Sequence, residues 1–149
     1  MPLDQSFAGR TYPPTPPYQV GREKIRELAT AIGAGDPLHH DLEAAKAAGY
    51  PDLVATPTFL AVITMQVLVD LVLDPDLGID YSRVVHGDQR FVYERPVVAG
   101  DELVVVNRIE EVMTRAGNDF LNIKQEVRTT GGEPVATVWH KTVVRGETA

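Results

Sequence analysis

The chain has 149 residues, 44% hydrophobic and 23% charged, without a compositional break, and reads as one domain over residues 1–149 built on a single core. Its 14 basic against 21 acidic side chains, a formal net charge of -7, leave no basic stripe to neutralise a phosphate backbone, so no nucleic-acid partner is expected. The absence of cysteine excludes a disulfide framework, a thiolate metal site and a thiol nucleophile, and fits a cytoplasmic location.

The N-terminal stretch MPLDQSFAGRTYPPTPPYQV has neither the basic start nor the apolar run of a secretory signal. No later segment reaches the roughly 18 uninterrupted apolar residues of a membrane span, so no membrane partner is expected. Prolines 13, 14, 16 and 17 lock φ and remove donors, which predicts a stiff, extended arm over residues 1–17.

Tyr18 to Val20 reads as a short strand. In REKIRELATAIG, Ile25, Leu28, Ala29 and Ile32 fall on one helical face, and Gly33 ends the helix. Asp41 caps the Ala-rich run LEAAKAAGY, which Gly49 stops. TPTFLAVITMQVLVDLVL, from Thr56 to Leu73, is apolar on nearly every side and predicts a buried helix, with Pro57 at its first position.

The second half changes character. Segments 84–98, 102–113, 120–128 and 135–144 are rich in Val, Ile, Tyr, Phe and Thr and are separated by the turn signals AGD, RAGND and TTGGE. In LNIKQEV, Leu121, Ile123 and Val127 alternate with Asn122, Lys124 and Glu126, giving one dry sheet face and one wet. That dry face needs a cover, and the 56–73 helix is the element apolar enough to provide it. The expectation is an α+β chain with an antiparallel sheet wrapped around a central apolar helix, the hot-dog fold.

Taken in order, YQVGREKIRELATAIG, GDPLHHD, AAKAAGYPDLVATPTF and FVYERPVVAGDEL resemble the MaoC-like family of (R)-specific enoyl-thioester hydratases and (3R)-hydroxyacyl-thioester dehydratases. Within it the resemblance is greatest to the FAS1-like N-terminal branch, which includes partner subunits of actinobacterial heterodimeric (3R)-hydroxyacyl-ACP dehydratases. The resemblance implies the hot-dog fold and, for the site, the motif S-G-D-x-N-P-[LIV]-H-x-D. Laid on without gaps, that motif places Gly33, Pro37, Leu38, His39 and Asp41 on matching positions, but Ala34 on the catalytic aspartate and Asp36 on the asparagine. A loop shorter by two residues would instead pair Asp36 with His39. The resemblance also implies a glycine N–H for the thioester oxygen where this chain has Pro57, which has none.

Water addition or removal at an enoyl thioester needs one group to activate water and another to exchange the α-proton, work that one imidazole does poorly alone. The catalytic candidates are therefore His39 and Asp36, and the substrate-binding candidates Thr56, Pro57 and Thr58. Against these stand plainer readings: Asp36 as a loop residue bonding local N–H groups, and the threonines as helix caps. His39 beside His40 lacks a third ligand at a familiar spacing, so no metal is expected, and His40 reads as solvated. His86 and Asp88 would share a strand face, as a second polar pair or, on the plainer reading, lining an outer or interface face of the sheet; Trp139 reads as packing, and His140 faces the opposite way.

The resemblance implies an acyl-ACP or acyl-CoA thioester as ligand and a homologous hot-dog subunit as partner, in a homodimer or heterodimer. No cofactor is implied. The leading expectation is the substrate-tunnel partner subunit of a dehydratase; a self-sufficient hydratase using Asp36 and His39, and a non-catalytic acyl-thioester binder, are the alternatives.

Overall fold

The structure, a computed structural model, describes residues 2–147. Its strands are β1 (Tyr18–Gln19), β2 (Val84–Tyr93), β3 (Glu102–Arg115), β4 (Asn118–Thr129) and β5 (Pro134–Val144), and its helices α1 (Arg22–Ala31), α2 (Leu42–Ala47) and α3 (Ala61–Val72). The strands form one antiparallel sheet in the order β1-β3-β4-β5-β2. The concave face of the sheet receives α3, which is the hot-dog arrangement.

Several boundaries move from their expected places. The α-helix opens at Ala61 and not at Thr56, because Phe59 and Ala61 donate three residues back, to Thr56 and Thr58, so residues 57–60 form tight turns ahead of the ladder. Pro57 thus begins that lead-in and is not the first helical residue. β2 stops at Tyr93 and does not reach 98, since Pro96 cannot donate to a sheet ladder; Val98 instead bridges Val54. β3, β4 and β5 are each one to a few residues longer than their patterns, and β1 is one residue shorter, ending at Gln19.

The close of α1 follows from its sequence. Gly33 sits at φ 73°, which lets its N–H reach the Thr30 carbonyl and the Ala34 N–H reach Ala29, so two carbonyls at the helix end are satisfied. The chain then enters a one-turn 3-10 helix, Pro37–His39, and α2, capped by Asp41 through the N–H groups of Glu43 and Ala44.

The arm is not extended throughout: Gln5–Phe7 form a 3-10 turn, and only the proline-rich stretch from Arg10 to Pro17 runs without helix or turn; the arm is also bonded along β3. Gly9, Tyr12 and Thr15 donate to Ile109, Asn107 and Val105, and Ile109 donates back to Arg10. Arg10 lies over the Phe7 and Tyr12 rings, and the Tyr12 hydroxyl donates to Asp74. One side of the sheet is thereby covered by the chain itself, whereas β2 presents the other side without a neighbouring strand among the described residues.

The buried interior has two apolar clusters. One joins Ile25, Leu53, Phe59, Leu60 and Ile63 to the starts of β3 and β5 and the end of β4; the other joins Leu68, Leu71 and Val72 to Ile109, Leu121 and Ile123. Between them lies a polar layer of Thr64, Asn107, Gln125 and His140, all buried. The dry face of LNIKQEV therefore carries Gln125, 0% exposed, among its aliphatics. Gln125 donates to Asn107 Oδ1 at 2.7 Å and to the Thr64 carbonyl at 3.1 Å, and Thr64 donates to Leu60.

Candidate functional site

A cleft of about 520 Å³ opens where the loop after α1, the extended segment 54–57 and the end of β2 converge. Asp36, His39, Thr56 and Pro57 all line it, together with Tyr93, Glu94 and Arg95. The sequence singled out the first four. Tyr93, Glu94 and Arg95 do not stand out as site residues while 84–98 reads as one long strand; Pro96 is the signal that the strand ends there and turns its last side chains into the opening.

Backbone pairing holds the walls. Val54 donates to Leu38, Ala55 to Val97 and Ala99 to Leu53, tying segment 53–56 between the 3-10 turn and the chain after β2. Arg95 places both guanidinium NH₂ groups on Asp101 and its Nε on Glu133, and the bonds to carboxylates raise its pKa. Asp101 also accepts from the Val98 N–H. ERPVVAGD is thus a clamp that shapes the wall, with the arginine's charge already met.

His39 is half-buried, and its Nδ1 lies 2.6 Å from the Val54 carbonyl. A carbonyl can only accept, so Nδ1 carries the proton and, in the neutral ring, Nε2 is the basic nitrogen. Asp36 is exposed and caps the 3-10 turn, one carboxylate oxygen accepting from the Leu38 N–H at 2.9 Å. The plain loop role weighed for Asp36 is thus present in the geometry alongside its place on the cleft wall. The Tyr93 hydroxyl donates to the Pro57 carbonyl, and burial pushes its pKa up to about 12, so it stays protonated.

Other candidates go elsewhere. Thr58 is exposed and does not line the cleft. Ala34 does not line it either; its carbonyl accepts from His40 Nε2 at 2.8 Å. His40 is therefore not solvated as expected: it is half-buried, and its own carbonyl accepts from Arg26, so it fastens the loop to α1. Among the described residues no group of three His, Asp or Glu side chains could hold a metal ion, and no helix is long and apolar enough to cross a membrane.

His86 and Asp88 do not share a face. Gly87 is an extra residue in the β2 ladder, so His86 pairs with Thr142 and Asp88 with Lys141, which point to opposite sides. A side chain at Gly87 would meet the Lys141 carbonyl at 3.1 Å, which is why the bulge falls on glycine. His86 then stands beside His140, ring centroids 5.4 Å apart, and Trp139 packs on the outer face under the Arg90 guanidinium at 4.1 Å. His140 is 2% exposed, and burial, with His86 nearby, lowers its pKa to about 4.

The family model described as "FAS1-like, dehydratase domain region" matches residues 6–138. A "UPF0336 protein" of Saccharopolyspora erythraea is 58% identical over 146 residues, 98% of this chain and 94% of its own. One chain of the HadBC (3R-hydroxyacyl-ACP dehydratase) complex from Mycobacterium tuberculosis superposes with a TM-score of 0.82 at 34% identity, over 92% of this chain and 96% of that chain. A "MaoC-like dehydratase" gives a TM-score of 0.86 at 30% identity, over 95% of this chain but 43% of that longer one.

Proposed function

This chain belongs to the FAS1-like dehydratase domain family, and from that premise we propose that it is one subunit of a (3R)-hydroxyacyl-thioester dehydratase or hydratase, holding the acyl thioester while a homologous hot-dog subunit completes the chemistry. The observation that carries this reading is the state of Asp36. Its carboxylate is exposed to solvent and caps the turn that bears His39, which leaves the cleft with a basic imidazole and no buried acid to work with it. The open side of β2 is the place for the partner, since a second sheet docked there would satisfy the unpaired strand edge. The substrate is an acyl chain carried on ACP or CoA, and the setting is fatty-acid metabolism in the cytoplasm.

The test is hydration of a trans-2-enoyl thioester such as crotonyl-CoA by the chain alone, by the chain with the subunit that co-purifies from its host, and by that subunit alone. Turnover at least about 100-fold faster with both than with either supports the reading, this being the scale of one missing acid or base. Brisk turnover by the isolated chain overturns it. A second reading, a self-sufficient hydratase using Asp36 and His39, is favoured by both side chains lining one cleft. Under it, His39→Ala removes about 10² to 10⁴ of the isolated chain's rate. Absence of turnover in every mixture, with thioester still bound, would leave a binding protein.

A further inference from the structure

The cleft wall contains one buried side-chain polar group without a partner among the described residues. Thr56 is 2% exposed, and its hydroxyl has no hydrogen-bond partner. An unpaired buried hydroxyl costs free energy, so a chain that keeps one at its main cleft calls for an explanation.

The neighbouring hydrogen bonds narrow that explanation. Of the carbonyls around Thr56, three already accept, Val54 from His39, Thr56 itself from Phe59 and Pro57 from Tyr93, and that of Ala55 stays open but can only accept. Of the side-chain donors lining the cleft, Tyr93 is engaged by Pro57, His39 Nδ1 by Val54, and each Arg95 nitrogen by Asp101, Glu133 or Pro96. Of the backbone groups here, Val54 and Ala55 donate to Leu38 and Val97 and Pro57 has no N–H, while the Thr56 N–H, on the same residue, has no acceptor among the described residues. Thr56 is thus the free side-chain donor of the wall, and His39 Nε2 its free basic nitrogen. The isolated position of Thr56 also separates it from the other unpaired buried groups: Gln89, Gln125, His140 and Thr142 lie in or beside the polar layer under α3, and Arg83 Nε lies in the turn before β2, 3.4 Å from an Asp80 carboxylate oxygen.

One free donor and one free base on the same wall match a carbonyl oxygen with a C–H bond next to it. We propose that the Thr56 hydroxyl, after rotation about its Cα–Cβ bond, donates a hydrogen bond to the carbonyl oxygen of the acyl thioester, with the carbon beside that carbonyl turned toward His39 Nε2. This assignment rests on the thioester-binding reading above. It makes Thr56 a positioning residue for the ligand, and it explains why a hydroxyl, and not an isosteric methyl, stands at a buried place where the fold itself does not use it.

The test compares two ligands that differ at that oxygen: butyryl-CoA, a thioester, and S-butyl-CoA, the thioether in which a CH₂ replaces the carbonyl. Binding to the protein as it purifies from its host is measured by calorimetry for wild type, Thr56→Val and Thr56→Ser. Wild type should prefer the thioester by about five- to tenfold, the value of one hydrogen bond; Thr56→Val should lose that preference, and Thr56→Ser should keep it. Thr56→Val should also melt no lower than wild type, because it deletes an unpaired hydroxyl, and a lower melting temperature would instead reveal a structural role and overturn the proposal. Undiminished preference for the thioester in Thr56→Val overturns the assignment alone. Failure of wild type to bind either ligand overturns the thioester reading and this assignment with it.

Discussion

Two imidazoles lie in one interior and do different work. His39, on the cleft, has its Nδ1 held by a carbonyl and its Nε2 left for a ligand. His140, in the polar layer between the apolar clusters, has both nitrogens buried and unpaired. The first arrangement fixes the tautomer and orients the ring toward an opening; the second only makes protonation costly. Burial by itself does not prepare a histidine for chemistry, and one engaged nitrogen beside one accessible nitrogen does.

The largest effect expected on this contrast is a pH dependence of stability. With its folded-state pKa near 4 against an ordinary 6.5, His140 is held neutral by the fold, so the unfolded chain binds the extra proton. Its contribution is complete above about pH 6.5 and is lost as the pH falls toward about 4, by on the order of 3 kcal/mol. Urea unfolding measured across that window should show the decline, and His140→Leu should flatten it. A wild-type profile flat between those limits would mean that His140 finds a partner when charged.

A smaller effect tests the polar layer around it. Gln125→Leu leaves Asn107 Oδ1 buried without its donor and should cost about 1–3 kcal/mol in chemical denaturation. Adding Asn107→Leu should return much of that loss, because the orphaned acceptor is then gone; additive losses would refute the coupling.

On the cleft side the stability effects are smaller again. His39→Ala removes one hydrogen bond to Val54 and should cost about 1 kcal/mol, so its main consequence is read in ligand binding and turnover and not in melting. Gly33→Ala forces a methyl-bearing residue to hold φ 73° and should cost about 1 kcal/mol, visible as a lower urea midpoint without loss of the fold. A loss several times larger would show that the loop from Gly33 to His40 supports the cleft more strongly than its exposed position indicates.

Much of this was legible in the residues. Local rules placed α1 and its glycine end, the Asp41 cap and the four long strands, because propensity, capping and period act over a few residues. The apolar character of residues 56–73 announced the buried helix, but its start moved to Ala61, since Pro57 is compatible with a tight lead-in as well as with a first helical turn. His86 and Asp88 were misplaced for a similar reason: period two assigns both to one face, and a single extra residue at Gly87 reverses that assignment. Residue types and spacing likewise left open whether Asp36 serves the loop or the cleft, and the folded chain has it capping Leu38 while it lines the opening.

The sequence alone determined the architecture, the burial of the central helix and the short loop that carries His39, because each of these follows from patterns within some 20 residues. Only the tertiary structure decided which groups remain available: that Gln125 meets Asn107 across the strands, that Arg95 is consumed by Asp101 and Glu133, and that Thr56 is left with a hydroxyl and nothing to give it to. The reason is that a hydrogen bond's availability depends on every partner brought near it, and those partners come from segments as far apart as the 116 residues between Leu3 and Asp119, whose meeting no local pattern encodes.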